Sequence, residues 1–196
     1  MKKYIFLTLL FSGIVNAQVS IANLEDIHNR KPHIYYIDSQ NFLGPLAGTY
    51  LYQEAGRTFK IVLNKKQNSN RYNTYYQDML IGGYQYNDGN IQIDLLNDVE
   101  NKFACGCSHV IYFQYIRTGP APGCLSCGPN QKWMVGVIAD PVANSADAIF
   151  LIPHIVNGQA AIRILINHEI RVNFGNNPTA SIHYPIGGEE FILLKQ

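Results

Sequence analysis

The stretch from Gly48 to Leu96 reads GTYLYQEAGRTFKIVLNKKQNSNRYNTYYQDMLIGGYQYNDGNIQIDLL, and its pattern decides the fold. Tyr50 and Tyr52 share one apolar run, and Phe59, Ile61 and Leu63 alternate in the next. A third run extends from Tyr75 to Tyr86, and a fourth holds Ile91, Ile93 and Leu95. A period of two puts alternate side chains on opposite faces, which is the mark of a strand covered on one side. The connections carry turn chemistry. Glu54-Ala55-Gly56-Arg57 joins the first pair, and the Asp-Gly step of Asn87-Asp88-Gly89-Asn90 supplies the positive φ that a two-residue hairpin needs. A tyrosine-rich meander with so few helical signals predicts an all-β fold, an antiparallel up-and-down barrel.

The rest of the chain extends that meander. His109 to Arg117 is apolar on both faces, as in a strand covered on each side. Gln131 to Ala139 carries the only tryptophan, Trp133. Ile149 to Val156 leads through Asn157-Gly158, a strong hairpin signal, into the long strand Ala160 to Phe174. Pro153 assigns its strand to an edge or a bulge, and Glu190 to Lys195 closes the series. Upstream, Ser20 caps a short helical turn with Ile21, Leu24 and Ile27 on one face, followed by a strand from His33 to Ile37. The sum is about eight to ten strands.

Residues 1–17 have the form of an export signal: basic Lys2 and Lys3, an apolar core from Ile5 to Val15, and the small-residue site Val15-Asn16-Ala17. The apolar part falls short of the roughly 20 residues that a membrane-spanning helix needs. The expected mature protein is exported, periplasmic or extracellular, and forms a single domain over residues 18–196. Without Lys2 and Lys3 the fifteen basic side chains become thirteen, against fourteen acidic ones. That balance has no electrostatic footprint for nucleic acid or an anionic membrane.

Four cysteines, Cys105, Cys107, Cys124 and Cys127, are spaced as C-x-C and C-x-x-C. Export favours disulfides; a zinc cluster and a redox-active Cys124–Cys127 pair are the other readings. A strand from His109 to Arg117, at ~3.3 Å per residue, holds the two motifs far apart. Each motif therefore closes on itself unless the loop Thr118 to Gly123 doubles back.

His168 falls on the apolar, inward face of the long strand, with Ile162, Ile164 and Ile166. It is a candidate ligand contact or a core histidine satisfied by a neighbour. Tyr50, Tyr52, Tyr84, Tyr86 and Trp133 complete the candidate ligand-facing set. No catalytic residue, metal or cofactor is expected. His168-Glu169 lacks the second histidine of H-E-x-x-H, since Val172 stands there, and a strand turns the two residues to opposite faces. Cys107-Ser108-His109 has no orienting carboxylate in view. Asp78 and Asp94 could act as paired carboxylates only if they converged.

Gly48-Thr49-Tyr50, opening the first meander strand after a helical turn, resembles the G-x-W entrance of lipocalins and their calycin relatives. In that family the tryptophan packs at the closed end of the barrel, usually under an arginine from a late strand. Here Tyr50 replaces it, and Arg163 and Arg171 are the late arginines. With Asp38 to Asn41, Phe59 to Lys66, Tyr76-Gln77-Asp78 to Tyr86 and the terminal Leu193-Leu194-Lys195-Gln196, the chain resembles a group of exported, lipocalin-like bacterial proteins of unknown function. The likeness implies the barrel and no particular activity. The leading expectation is non-catalytic binding of a small, partly apolar or aromatic ligand. The alternatives are a packed-barrel structural or interaction module with a stapled loop at 105–127, and an exported hydrolase or isomerase using His168 with Asp78 or Asp94.

Overall fold

Strands occupy Ser20–Asn23 (β1), Ile34–Ile37 (β2), Gly48–Glu54 (β3), Arg57–Arg71 (β4), Tyr75–Asn87 (β5), Gln92–Asp94 (β6), Ile111–Thr118 (β7), Lys132–Asp140 (β8), Ser145–Val156 (β9), Gln159–Asn173 (β10) and Glu190–Lys195 (β11). The structure is a computed structural model describing residues 19–71, 74–97, 109–124, 126–173, 182–185 and 190–196. The leader segment 1–17, Cys105 and Cys107 lie outside the described residues. Eight strands close on themselves: β3, β4, β5, β7, β8, β9, β10 and β11 pair in that order, and Leu194 and Lys195 return to Leu51 and Tyr50 of β3. This is the antiparallel up-and-down barrel that the meander predicts.

Two elements depart from the expected pattern. The run Ile91 to Leu95 does not supply a barrel strand; only Gln92–Asp94 pairs, against the last residues of β5. The chain then crosses over Gly83, where a Cβ would lie 2.3 Å from the Leu95 carbonyl oxygen. Asn87 pairs with Gln92, so the Asp-Gly connection is a four-residue loop. Its geometry comes from Asp88, whose carboxylate accepts from the Asn90 and Ile91 amides at 2.9 and 2.7 Å. At the other end of the sheet, β1 takes the residues expected to begin the helical turn. That turn is a 3₁₀ helix over Leu24–Asn29, capped by Asn23 in place of Ser20, and Ile21 is left exposed. A short polar side chain one residue before Leu24 satisfies the Glu25 amide directly, which Ser20 is too distant to do.

Two described turns follow the sequence. Ala55 and Gly56 have φ of 51° and 80° between the paired Glu54 and Arg57, and Asn157 and Gly158 have 49° and 82°. Pro153 pairs with β10 but lies beyond Leu151, where pairing with β8 ends, so its missing N–H breaks no ladder on that side.

Alternation places the starts of β3, β5, β8 and β10 at one end of the barrel, here the lower end. Residues 19–47 close it, burying Leu24, Ile27, Leu43 and Leu46. The Lys132–Glu25 ion pair and the Arg117–His28 contact tie this segment to the lower ends of β8 and β7. One apolar cluster continues upward through the bore. Phe59 sits within it, edge-on to Phe191, Tyr86 and Tyr84 at 5.8, 6.0 and 6.3 Å. Each such ring contributes about 1.5–3 kcal/mol through burial.

A separate cluster lies on the outer wall. Trp133, Phe150 and Ile152 pack there with Ala121 and Cys124, so the described part of the loop between β7 and β8 turns its apolar side to the barrel. Cys124 and Cys127 form a disulfide with Cα atoms 5.4 Å apart, closing that motif on itself.

Candidate functional site

The inward register of β8 and β9 is apolar along the bore and becomes ionisable at the upper end. Asp140 ends the series Met134, Gly136, Ile138, and Asp147 precedes Ile149 and Leu151 on the same face. Asp147 pairs with Ile138, which makes the two carboxylates diagonal neighbours, with Cα atoms about 7–8 Å apart. Neither side chain has solvent access. A buried carboxylate needs charged or hydrogen-bonding partners, because water no longer solvates it.

Each aspartate finds an imidazole. His168, on the inward register of β10, hydrogen-bonds through Nδ1 to Asp147 Oδ2. His183 approaches Asp140 Oδ2 through Nδ1 at 3.0 Å, while its backbone amide donates to the same oxygen at 2.7 Å. Asp140 Oδ1 accepts from the Val142 and Ala143 amides, so this carboxylate also shapes the β8–β9 turn. Tyr184 is fully buried between the two pairs. Its ring lies parallel to that of His168, centroids 6.1 Å apart, and edge-on to Tyr84. The Tyr84 hydroxyl donates to the Ala139 carbonyl, and burial, then Asp140 and Tyr184, raises its ionisation well above the ordinary phenol range.

A carboxylate on Nδ1 fixes the protonation of that nitrogen and leaves Nε2 as the acceptor of the neutral ring. Two imidazoles are held in this way at the upper end of the bore, beside the Tyr184 and Tyr84 rings. Among the described residues no group of three or more His, Cys, Asp and Glu side chains is placed to hold a metal ion.

The six expected ligand-facing residues divide into three places. Tyr52, Tyr84, Tyr86 and His168 lie in the upper half. Tyr52 is partly exposed at the rim, its hydroxyl on Glu54 and its ring edge-on to Phe191 at 5.1 Å. Tyr86 is buried, with its hydroxyl on Asp88. Tyr50 is at the lower end, donating to the Leu46 carbonyl, and burial pushes its phenol up to about 12. Lys195 of the closing strand stands over the Tyr50 ring at 5.7 Å, while Arg163 is engaged on the outer wall with Cys124 and Glu190. Trp133 is on the outer wall, apart from the other five, because its position on β8 alternates with the inward Met134.

Asp78 and Asp94 do not converge. Asp78 is buried near the lower end, accepting from the Tyr35 hydroxyl at 2.5 Å and from the Asp38 and Asn68 amides. It pins β2 to the bulge of β4 between Lys66 and Ser69. Tyr35 is pushed up to about 12, first by burial and then by Asp78. Asp94 is exposed on β6 beside Gln85, seven residues further along β5 than Asp78. The carboxylate beside His168 is Asp147, which sequence reading passed over with Asp140, His183 and Tyr184. Asp147 carried a signal, since it interrupts an otherwise apolar inward register.

Comparison with curated proteins and with solved structures gave no match. A family model does match, over residues 1–193, and the chain thereby belongs to a family of unknown function, DUF6705.

Proposed function

We propose that this chain is an exported, lipocalin-like binding protein that takes a small, partly apolar ligand at the upper mouth of its barrel, without chemistry. The carrying observation is the His168–Asp147 pair, stacked on Tyr184 on the inward face of the wall. It is a polar group held in one orientation among aromatic rings, the usual composition of a small-molecule site. The leader segment supports export. Gly48-Thr49-Tyr50 at the start of β3, beside a lower end closed by the N-terminal segment, supports the lipocalin likeness. The aromatic packing around Phe59, in register with Tyr52 and Tyr86, fills the upper half of the bore, which favours recognition at the rim by Tyr52, His168 and His183. Native mass spectrometry of the protein isolated from its own compartment tests this. A retained mass of a few hundred daltons, released on denaturation, is expected. Its occupancy should fall about tenfold or more in His168→Ala and Tyr52→Ala, and hold in Tyr50→Phe. A bare polypeptide, or equal loss in all three variants, contradicts the proposal.

A further inference from the structure

We infer that Cys124–Cys127 is an exchangeable, redox-active disulfide that reacts with low-molecular-mass thiols, not a permanent staple. The inference is independent of the upper mouth and rests on the outer wall. Arg163 projects from the outward register of β10, opposite Ile152 and Ile192. Its Nη1 lies 3.0 Å from Cys124 Sγ and 2.8 Å from Ser126 Oγ, and its Nε pairs with Glu190. Cys124 is buried, while Cys127 is partly exposed.

A disulfide sulfur is a weak acceptor, whereas a thiolate forms a charge-assisted bond with a guanidinium. Arg163 therefore interacts more strongly with the reduced form than with the oxidised one. Burial of Cys124 opposes the thiolate, and the adjacent guanidinium offsets that effect. Glu190 sits on the other edge of the same guanidinium and weakens its field at the sulfur. The exposures set the order of events. An incoming thiolate attacks the accessible Cys127 Sγ and forms a mixed disulfide there. The Cys124–Cys127 bond breaks, and its electron pair leaves on Cys124 Sγ, beside Arg163. A second thiolate then takes the first from Cys127, yielding the external disulfide and two reduced cysteines. A leaving thiolate stabilised in this way departs faster.

The test equilibrates the full chain in glutathione buffers of graded ratio, quenches by alkylation, and reads the reduced fraction by peptide mass mapping. Trypsin cuts after Arg117 and Lys132, so the peptide from Thr118 to Lys132 reports Cys124 and Cys127 apart from Cys105 and Cys107. The bridge should titrate within these buffers. Arg163→Gln should lower the equilibrium constant for reduction about tenfold, equal to about 30 mV, and Arg163→Lys should stay near the parent. Glu190→Gln should raise the constant, because the guanidinium is then shared with no carboxylate. Both Arg163→Gln and Glu190→Gln break the same ion pair, so a purely structural role moves them in one direction. Shifts of the same sign, no shift in either variant, or a bridge that stays oxidised in reduced glutathione overturns the inference.

Discussion

Replacing Phe59 by alanine removes the ring at the centre of the aromatic packing in the bore. The side chain is fully buried, and three rings meet it edge-on at 5.8–6.3 Å. Truncating a core phenylalanine costs about 3–5 kcal/mol in lost transfer energy and cavity. Each edge contact contributes about 0.5–1.5 kcal/mol beyond its area, which places Phe59→Ala toward the upper part of that range, about 4–5 kcal/mol. Phe59→Leu keeps most of the volume and loses the three edge contacts, for about 1.5–3 kcal/mol. Urea unfolding followed by Trp133 fluorescence measures both. With a slope of about 2 kcal/mol per molar, the alanine variant should lose about 2 M from its midpoint at an unchanged slope. A loss under about 1 kcal/mol for Phe59→Ala would show that the ring is not packed in a filled bore. An equal loss for leucine and alanine would show that volume is not what the site requires.

Asp78→Ala strands the buried Asp38 amide and removes the acceptor of the half-buried Tyr35 hydroxyl, while the exposed Asn68 amide keeps its bond to Tyr35, and should cost about 2–3 kcal/mol in the same assay. Tyr35→Phe should cost about 1–2 kcal/mol, and the double variant should fall short of the sum by about 1 kcal/mol, since the two groups share a bond. Gly136→Ala brings a Cβ to 2.2 Å from the Tyr112 carbonyl oxygen, and should cost about 2–3 kcal/mol without changing the circular dichroism of the folded state. Tyr35 and Tyr50 are raised to about 12 in the folded chain, above the usual 10, so the folded state holds their protons longer than the unfolded state does. That contribution is complete below pH 10 and is lost as pH rises toward 12. Ultraviolet difference absorbance should show these phenolates appearing together with unfolding; their titration near pH 10 in the folded protein would contradict the packing.

The barrel was legible because its signals are local. Alternation in β3, β4 and β10, the Asn157-Gly158 turn and the closing run Glu190 to Lys195 each act within a few residues. β6 failed where a non-local condition intervened: Ile91, Ile93 and Leu95 alternate like a full strand, but β7 takes the edge of β5 at Leu80 to Gly82 and leaves only three residues to pair. Residue type alone puts Trp133 in the ligand set, while its register places it outside. His168 is visible in the sequence because it breaks an apolar face, and its partner is not, because Asp147 joins it only once β9 and β10 are aligned. His183 and Tyr184 lie in a segment with no periodicity, so nothing in the sequence marks their return to the mouth.

The most direct test of the upper mouth is nitrogen-15 NMR of the histidine rings in the intact protein. Among the described residues, His168 and His183 have Nδ1 on a buried carboxylate. Both rings should show a protonated Nδ1 with Nε2 as the acceptor nitrogen when neutral. Asp147→Asn should change the signal of His168 and leave that of His183 in place. Rings in the Nε2-protonated form, insensitive to Asp147→Asn, would mean that the carboxylate–imidazole pairs do not exist in solution and that the mouth is not the recognition site.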